Sequence, residues 1–82
     1  MKITIEMSLY PVCDNYLAII KAFIAKLKTY DNISILCNNV STQISGDYEV
    51  IMQLLNKEIK EIFLEQRSVF VIKFLEGDKI NE

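Results

Sequence analysis

Glu6, Ser8 and Tyr10 fall at every second position in one short stretch of the chain, and Ser41, Gln43 and Ser45 do the same in another. Between them they offer a carboxylate, an amide, hydroxyls and an aromatic ring. That set supplies donors, acceptors and a stacking surface, which suits holding a small polar molecule. The uncovered face of an antiparallel sheet is also polar simply because it meets water, but lysines and glutamates alone would serve that purpose. Histidine is absent altogether. Its absence removes the usual general base near neutral pH, the Ser-His-Asp and Cys-His arrangements, and the commonest transition-metal ligand. The expectation is a binding protein without catalysis and without a cofactor or metal.

Other residue types narrow the choice further. Two cysteines, Cys13 and Cys37, are too few for a disulfide framework and match no zinc spacing. Cys13 falls near the start of an expected helix, where a thiol can become reactive, but a surface thiol with no role is the better reading. Cys37 alternates with Ile33 and Ile35, which predicts a core position. An acylphosphatase-like activity would need an arginine and an asparagine around a phosphate, and the sole arginine, Arg67, lies at the far end of the second expected helix. The net charge of −2 lacks the basic footprint of a nucleic-acid binder.

The elements that must position these residues follow from periodicity. Across residues 2–10, Ile3, Ile5, Met7 and Leu9 share one face and Thr4, Glu6, Ser8 and Tyr10 the other, which predicts a half-buried strand ended by Pro11. Asp14 or Asn15 can cap a helix over 16–27, where Tyr16, Ile19, Ile20, Phe23, Ile24 and Leu27 recur at helical spacing. Ile33, Ile35 and Cys37 mark a second strand. Asn38-Asn39 offers the positive-φ positions of a tight hairpin turn, and the third strand follows over 40–45 with Val40, Thr42 and Ile44 inward. Gly46 releases the chain and Asp47 caps a helix that runs to about Glu65, with Val50, Ile51, Leu54, Leu55, Ile59, Ile62 and Phe63 along one stripe. Val69 to Phe74 form a β-branched and aromatic fourth strand, and a polar tail begins at Glu76. Tyr16, Phe23, Phe63 and Phe74 are expected in the core.

The order is βαββαβ within a single domain over residues 1–82. Right-handed crossovers turn that order into an α+β, ferredoxin-like sandwich: a four-stranded antiparallel sheet, first and third strands central, both helices on one face. Glu6, Ser8 and Gln43 then project together from the two middle strands on the open face. Half the residues are apolar and a quarter charged, as in globular domains. A domain this short buries only ~60% of its unfolded surface, so self-association is the expected support. No apolar run approaches the ~20 residues that span a bilayer, and no signal segment is evident, so the default location is the cytoplasm with no membrane partner.

Ser8-Leu9-Tyr10-Pro11 at the end of the first strand, and Ser41-Thr42-Gln43-Ile44 followed by Gly46 before the second helix, resemble the paired motifs of the thiamine-binding YkoF-like family. The stretch Ile20-Lys21-Ala22-Phe23-Ile24 resembles its first helix. The resemblance implies ferredoxin-like repeats, either two in a chain or one that associates with itself, here as a homodimer or homotetramer. It also implies binding of thiamine or its hydroxymethylpyrimidine moiety, in thiamine supply or salvage. Carried over by motif position, the candidate site residues are Ser8, Tyr10, Ser41, Thr42 and Gln43. Glu6 would favour the thiazolium cation, and Tyr10 or Tyr48 could stack on a flat ring. The chain departs from the family in having Ser45 where an aromatic residue often precedes the glycine, and in Val12 and Cys13. The alternative is a structural or regulatory homo-oligomerisation module without thiamine specificity.

Overall fold

The computed structural model describes residues 1–81 and contains β1 (Lys2–Pro11), α1 (Tyr16–Leu27), β2 (Ser34–Cys37), β3 (Thr42–Asp47), α2 (Tyr48–Glu65) and β4 (Ser68–Glu76). The four strands form one antiparallel sheet in the order β2-β3-β1-β4, so β1 and β3 are central and β2 and β4 are edges. This is the ferredoxin-like α+β sandwich that the order of elements predicts.

The alternation along β1 sets both faces. Ile3, Ile5, Met7 and Leu9 are buried beneath the helices, together with Phe23 and Leu27 of α1 and Ile51, Leu54, Leu55 and Ile62 of α2. Ile5, Leu27, Ile44 and Ile51 reach zero exposure. Each such side chain contributes ~1.5–3 kcal/mol relative to remaining in water. Phe70 of β4 bridges the two helices, with its ring centroid 5.5 Å from Phe23 and 5.6 Å from Phe63. Among the described residues no helix is long and apolar enough to cross a membrane.

Several local expectations are corrected. The β2–β3 turn contains no positive-φ asparagine. Instead the Asn38 side-chain oxygen accepts the backbone N–H groups of Val40 and Ser41 at 2.8 and 2.9 Å, an Asx turn that does the work of an αL residue. Because the turn consumes residues 38–41, β3 starts at Thr42 and Val40 is left exposed instead of inward. Cys37 ends an edge strand and is exposed, as is Cys13, so neither is core. Of the four aromatic residues expected in the core only Phe23 is buried; Tyr16, Phe63 and Phe74 stand at the margins of the helix layer, each about half exposed.

Gly46 does not release the chain but lies inside β3, opposite Ile3. A Cβ there would meet the Asn32 carbonyl oxygen and the Ile33 Cγ2 at 3.3 Å each, so any larger residue would force the chain before β2 to give by a few tenths of an ångström. Asn15 and Asp47 occupy the N-cap positions of α1 and α2, but neither side chain caps. The Asp47 carboxylate lies 3.5 Å from Lys2 Nζ instead.

Candidate functional site

Antiparallel register puts directly opposite residues on the same face. Thr4 and Glu6 of β1 face Ser45 and Gln43 of β3 on one side, and Leu75 and Lys73 of β4 on the other. β2 adds Ser34 beside Ser45 and Leu36 beside Gln43. The open face therefore carries a polar centre at Glu6 and Gln43. Its outer positions are apolar: Leu36, Val69 and Val71 are each about half exposed.

Glu6 is the hub. Lys73 Nζ lies 3.3 Å from one of its carboxylate oxygens, and the Ser41 hydroxyl donates to the other at 3.2 Å. A carboxylate has about four acceptor positions, so both oxygens keep capacity for a further donor. Gln43 stands directly opposite, and among the described residues its amide has no hydrogen-bond partner. Ser8 directs its hydroxyl to the Val40 carbonyl at 3.0 Å and so ties the β2–β3 turn to the end of this face.

At the other end the chain after β4 is not a loose polar tail. The Thr4 hydroxyl donates to the Gly77 carbonyl and accepts the Lys79 N–H, both at 2.8 Å, while the Asn81 amide donates to Ser34 at 3.1 Å. Asp78 holds this strap in shape by accepting from the Asn81 side chain at 2.9 Å and from the Ile80 and Asn81 backbone N–H groups. Those bonds, the Asn81 amide first, pull the Asp78 carboxyl down to about 2. The strap closes one side of a hollow of about 250 Å³ lined by Thr4, Glu6, Gln43, Lys73, Leu75 and Lys79.

The site expected from sequence is thus brought together only in part. Glu6, Gln43, Ser41 and Ser8 share one region of the open face. Tyr10 is on that face but four residues beyond Glu6, ~13 Å along the strand, and is 55% exposed. Tyr48 opens α2 past the other end of β3, its N–H bonded to the Met1 carbonyl, and so lies away from the Glu6 centre. Thr42 pairs with Met7 and is buried on the helix side. With Ser8 and Ser41 it lines a recess of about 90 Å³ between the sheet and α1, so those two serines stand between this recess and the Glu6 centre. Lys73 and Lys79 also line the hollow, although neither is among the residues expected there from sequence. A lone lysine interrupting the apolar run Val69–Leu75 was the available signal for the first.

A roomier hollow lies elsewhere, about 530 Å³ between α2 and β4, lined by Met52, Leu55, Ile59, Phe63, Leu64, Ile72 and Phe74 together with Asn56 and Lys60. Seven of these nine lining residues are apolar, which leaves Asn56 and Lys60 to fix a small molecule's orientation. Among the described residues no cluster of His, Cys, Asp or Glu could hold a metal ion.

No protein-family model and no curated protein sequence matches the chain. Solved structures do. Protein SP2199 from Streptococcus pneumoniae superposes with a TM-score of 0.85 at 20% identity, over 99% of this chain and 92% of that one. A candidate thiamine biosynthesis/salvage protein, TM0486 from Thermotoga maritima, gives 0.84 at 16% identity over 94% and 85%. A domain of unknown function, DUF77, from Bacillus cereus gives 0.76 at 11% identity over 96% and 79%. At these identities the likeness shows a shared fold.

Proposed function

We propose that this chain is a non-catalytic binding protein for thiamine or its hydroxymethylpyrimidine moiety, serving thiamine supply or salvage, with the ligand seated on the open sheet face. The observation that carries the proposal is the uncommitted Gln43 amide directly opposite the Glu6 carboxylate, at the floor of the open-face hollow. An aminopyrimidine presents an amino donor beside a ring-nitrogen acceptor. An amide can pair with both, and the spare acceptor capacity of Glu6 suits the remaining amino hydrogen. The Thermotoga protein of the same fold, described as a thiamine biosynthesis/salvage candidate, adds support.

Lys73 refines the choice of ligand. By lying against Glu6 it offsets the negative charge that would attract a thiazolium cation. The pyrimidine half therefore supplies most of the recognition, and the neutral hydroxymethylpyrimidine is the better match to the hollow. A second copy laid over the same face, in a homodimer or homotetramer, would convert the open hollow into an enclosed one.

Calorimetric titration with hydroxymethylpyrimidine and with thiamine tests this. Binding is expected for both, tighter for the first. Gln43→Ala leaves at least one ring-edge hydrogen bond unmade, a loss of ~1–3 kcal/mol or roughly 5- to 150-fold in affinity. No heat at millimolar ligand would contradict the proposal. The exposed Leu36, Val69 and Val71 on the same face favour the second reading, a homo-oligomerisation module. Under it, Gln43→Ala or Glu6→Ala would change the subunit state while ligand binding stayed undetectable.

A further inference from the structure

The two edges of the sheet are unlike. β2 is four residues long, whereas β4 is nine. Short edge strands are one of the ways proteins avoid unwanted pairing. β4 uses none of the usual ones: residues 68–76 contain no proline, their register against β1 runs without a bulge from Ser68 to Glu76, and their lysine turns to Glu6 on the open face.

The bonds at the two ends of the β1–β4 ladder identify which backbone groups are free. Gly77 N–H donates to the Lys2 carbonyl at 3.0 Å and Val12 N–H to the Arg67 carbonyl at 2.9 Å, and both pairs continue the register. Bonded and non-bonded pairs alternate in an antiparallel ladder. Val69, Val71, Lys73 and Leu75 therefore direct their N–H and C=O groups to β1. Phe70, Ile72 and Phe74 direct theirs out of the sheet, over the one edge that is long enough to pair. Immediately beside that edge, on the helix face, lies the apolar hollow of about 530 Å³. Its Phe63, Leu64 and Phe74 are 53%, 77% and 56% exposed.

We infer that β4 is an assembly edge that pairs antiparallel with β4 of a second copy of this chain, joining the two sheets into one. A second copy fits because the strand is complementary to itself. With the two-fold axis at Ile72 the whole strand overlaps, Ile72 faces its own copy and Phe70 faces Phe74, all through outward-pointing backbone groups. On the open face Val71 then meets Lys73 and Val69 meets Leu75, so no like charges are opposed. Centring the axis on Lys73 would oppose two lysines. A two-fold perpendicular to the sheet puts both helix layers on one side and brings the two apolar hollows together across the seam. This contact is independent of ligand and distinct from any stacking of open faces.

Backbone amide hydrogen exchange by NMR, at high and low protein concentration, tests the pairing in the unaltered protein. The expected result is that the amides of Phe70, Ile72 and Phe74 are protected at high concentration and lose at least tenfold of that protection on dilution. Val69, Val71, Lys73 and Leu75 should stay protected throughout. Phe74→Pro removes an outward N–H and no bond to β1, so it should yield monomers in sedimentation experiments. A protein that is monomeric at high concentration would overturn the inference. So would a dimer in which Phe70, Ile72 and Phe74 exchange freely, or one that survives Phe74→Pro. If that variant does not fold, the exchange pattern alone decides.

Discussion

Among the described residues Glu58 is the one buried charged side chain, at 3% exposure, and the Tyr30 hydroxyl donates to it at 2.6 Å. Lys26 Nζ stands 3.8 Å from the other carboxylate oxygen and 3.2 Å from Glu61. Those neighbours raise the Lys26 pKa, the hydrogen bond to Glu61 most. The bond to Glu58, followed by burial, pushes Tyr30 up to about 12 from an ordinary value of 10.0. Because the folded-state pKa is the higher one, the contribution is complete below pH 10 and disappears as the pH rises through about 12. Denaturant unfolding of wild type and Tyr30→Phe should therefore differ by ~1–3 kcal/mol at neutral pH, the cost of stripping a buried acceptor of its donor. That difference should shrink above pH 10. A difference that stays constant to pH 12 would contradict the assignment. At the open face the same scale shows what sequence could and could not give. Alternation placed Glu6 and Gln43 correctly because a two-residue period fixes the face. Motif position alone could not separate Gln43 from Thr42, which turns the opposite way.

At the scale of elements, both helices and the strand order were legible because their apolar stripes are long; Asn15 and Asp47 mark the helix starts by position although neither side chain caps. The connection between β2 and β3 was not. Asn38 makes its turn with a side chain instead of a positive φ, and that substitution moves the start of β3 to Thr42 and exposes Val40. The segment after Glu76 reads as a polar tail in the sequence, but the Gly77 carbonyl and the Lys79 N–H bond to Thr4 and the Asn81 amide bonds to Ser34, which composition does not reveal. Gly46 marks a contact between elements that no local pattern reveals. Gly46→Ala places a methyl 3.3 Å from both a backbone carbonyl and a side-chain carbon. The carbonyl cannot easily move, so overpacking of ~1–3 kcal/mol is expected. Urea unfolding measures it, and a variant as stable as wild type would show that the chain before β2 yields freely.

For the whole molecule, two surfaces stand out among those that the described residues leave without partners. One is the open sheet face, polar at its centre and apolar at its margins; the other is the β4 edge with the hollow behind it. The first was foreseeable, since βαββαβ order leaves one face bare. The second was not, because which backbone groups point outward depends on register, and register is a property of paired strands. Under the proposed function the open face, and not the larger apolar hollow, holds a pyrimidine. An NMR titration of the labelled protein with hydroxymethylpyrimidine tests it most directly. Saturable shifts concentrated on Glu6, Ser41, the Gln43 side-chain amide and Lys73 are predicted. Shifts concentrated instead on Ile59, Phe63 and Ile72, or none at millimolar ligand, would contradict it.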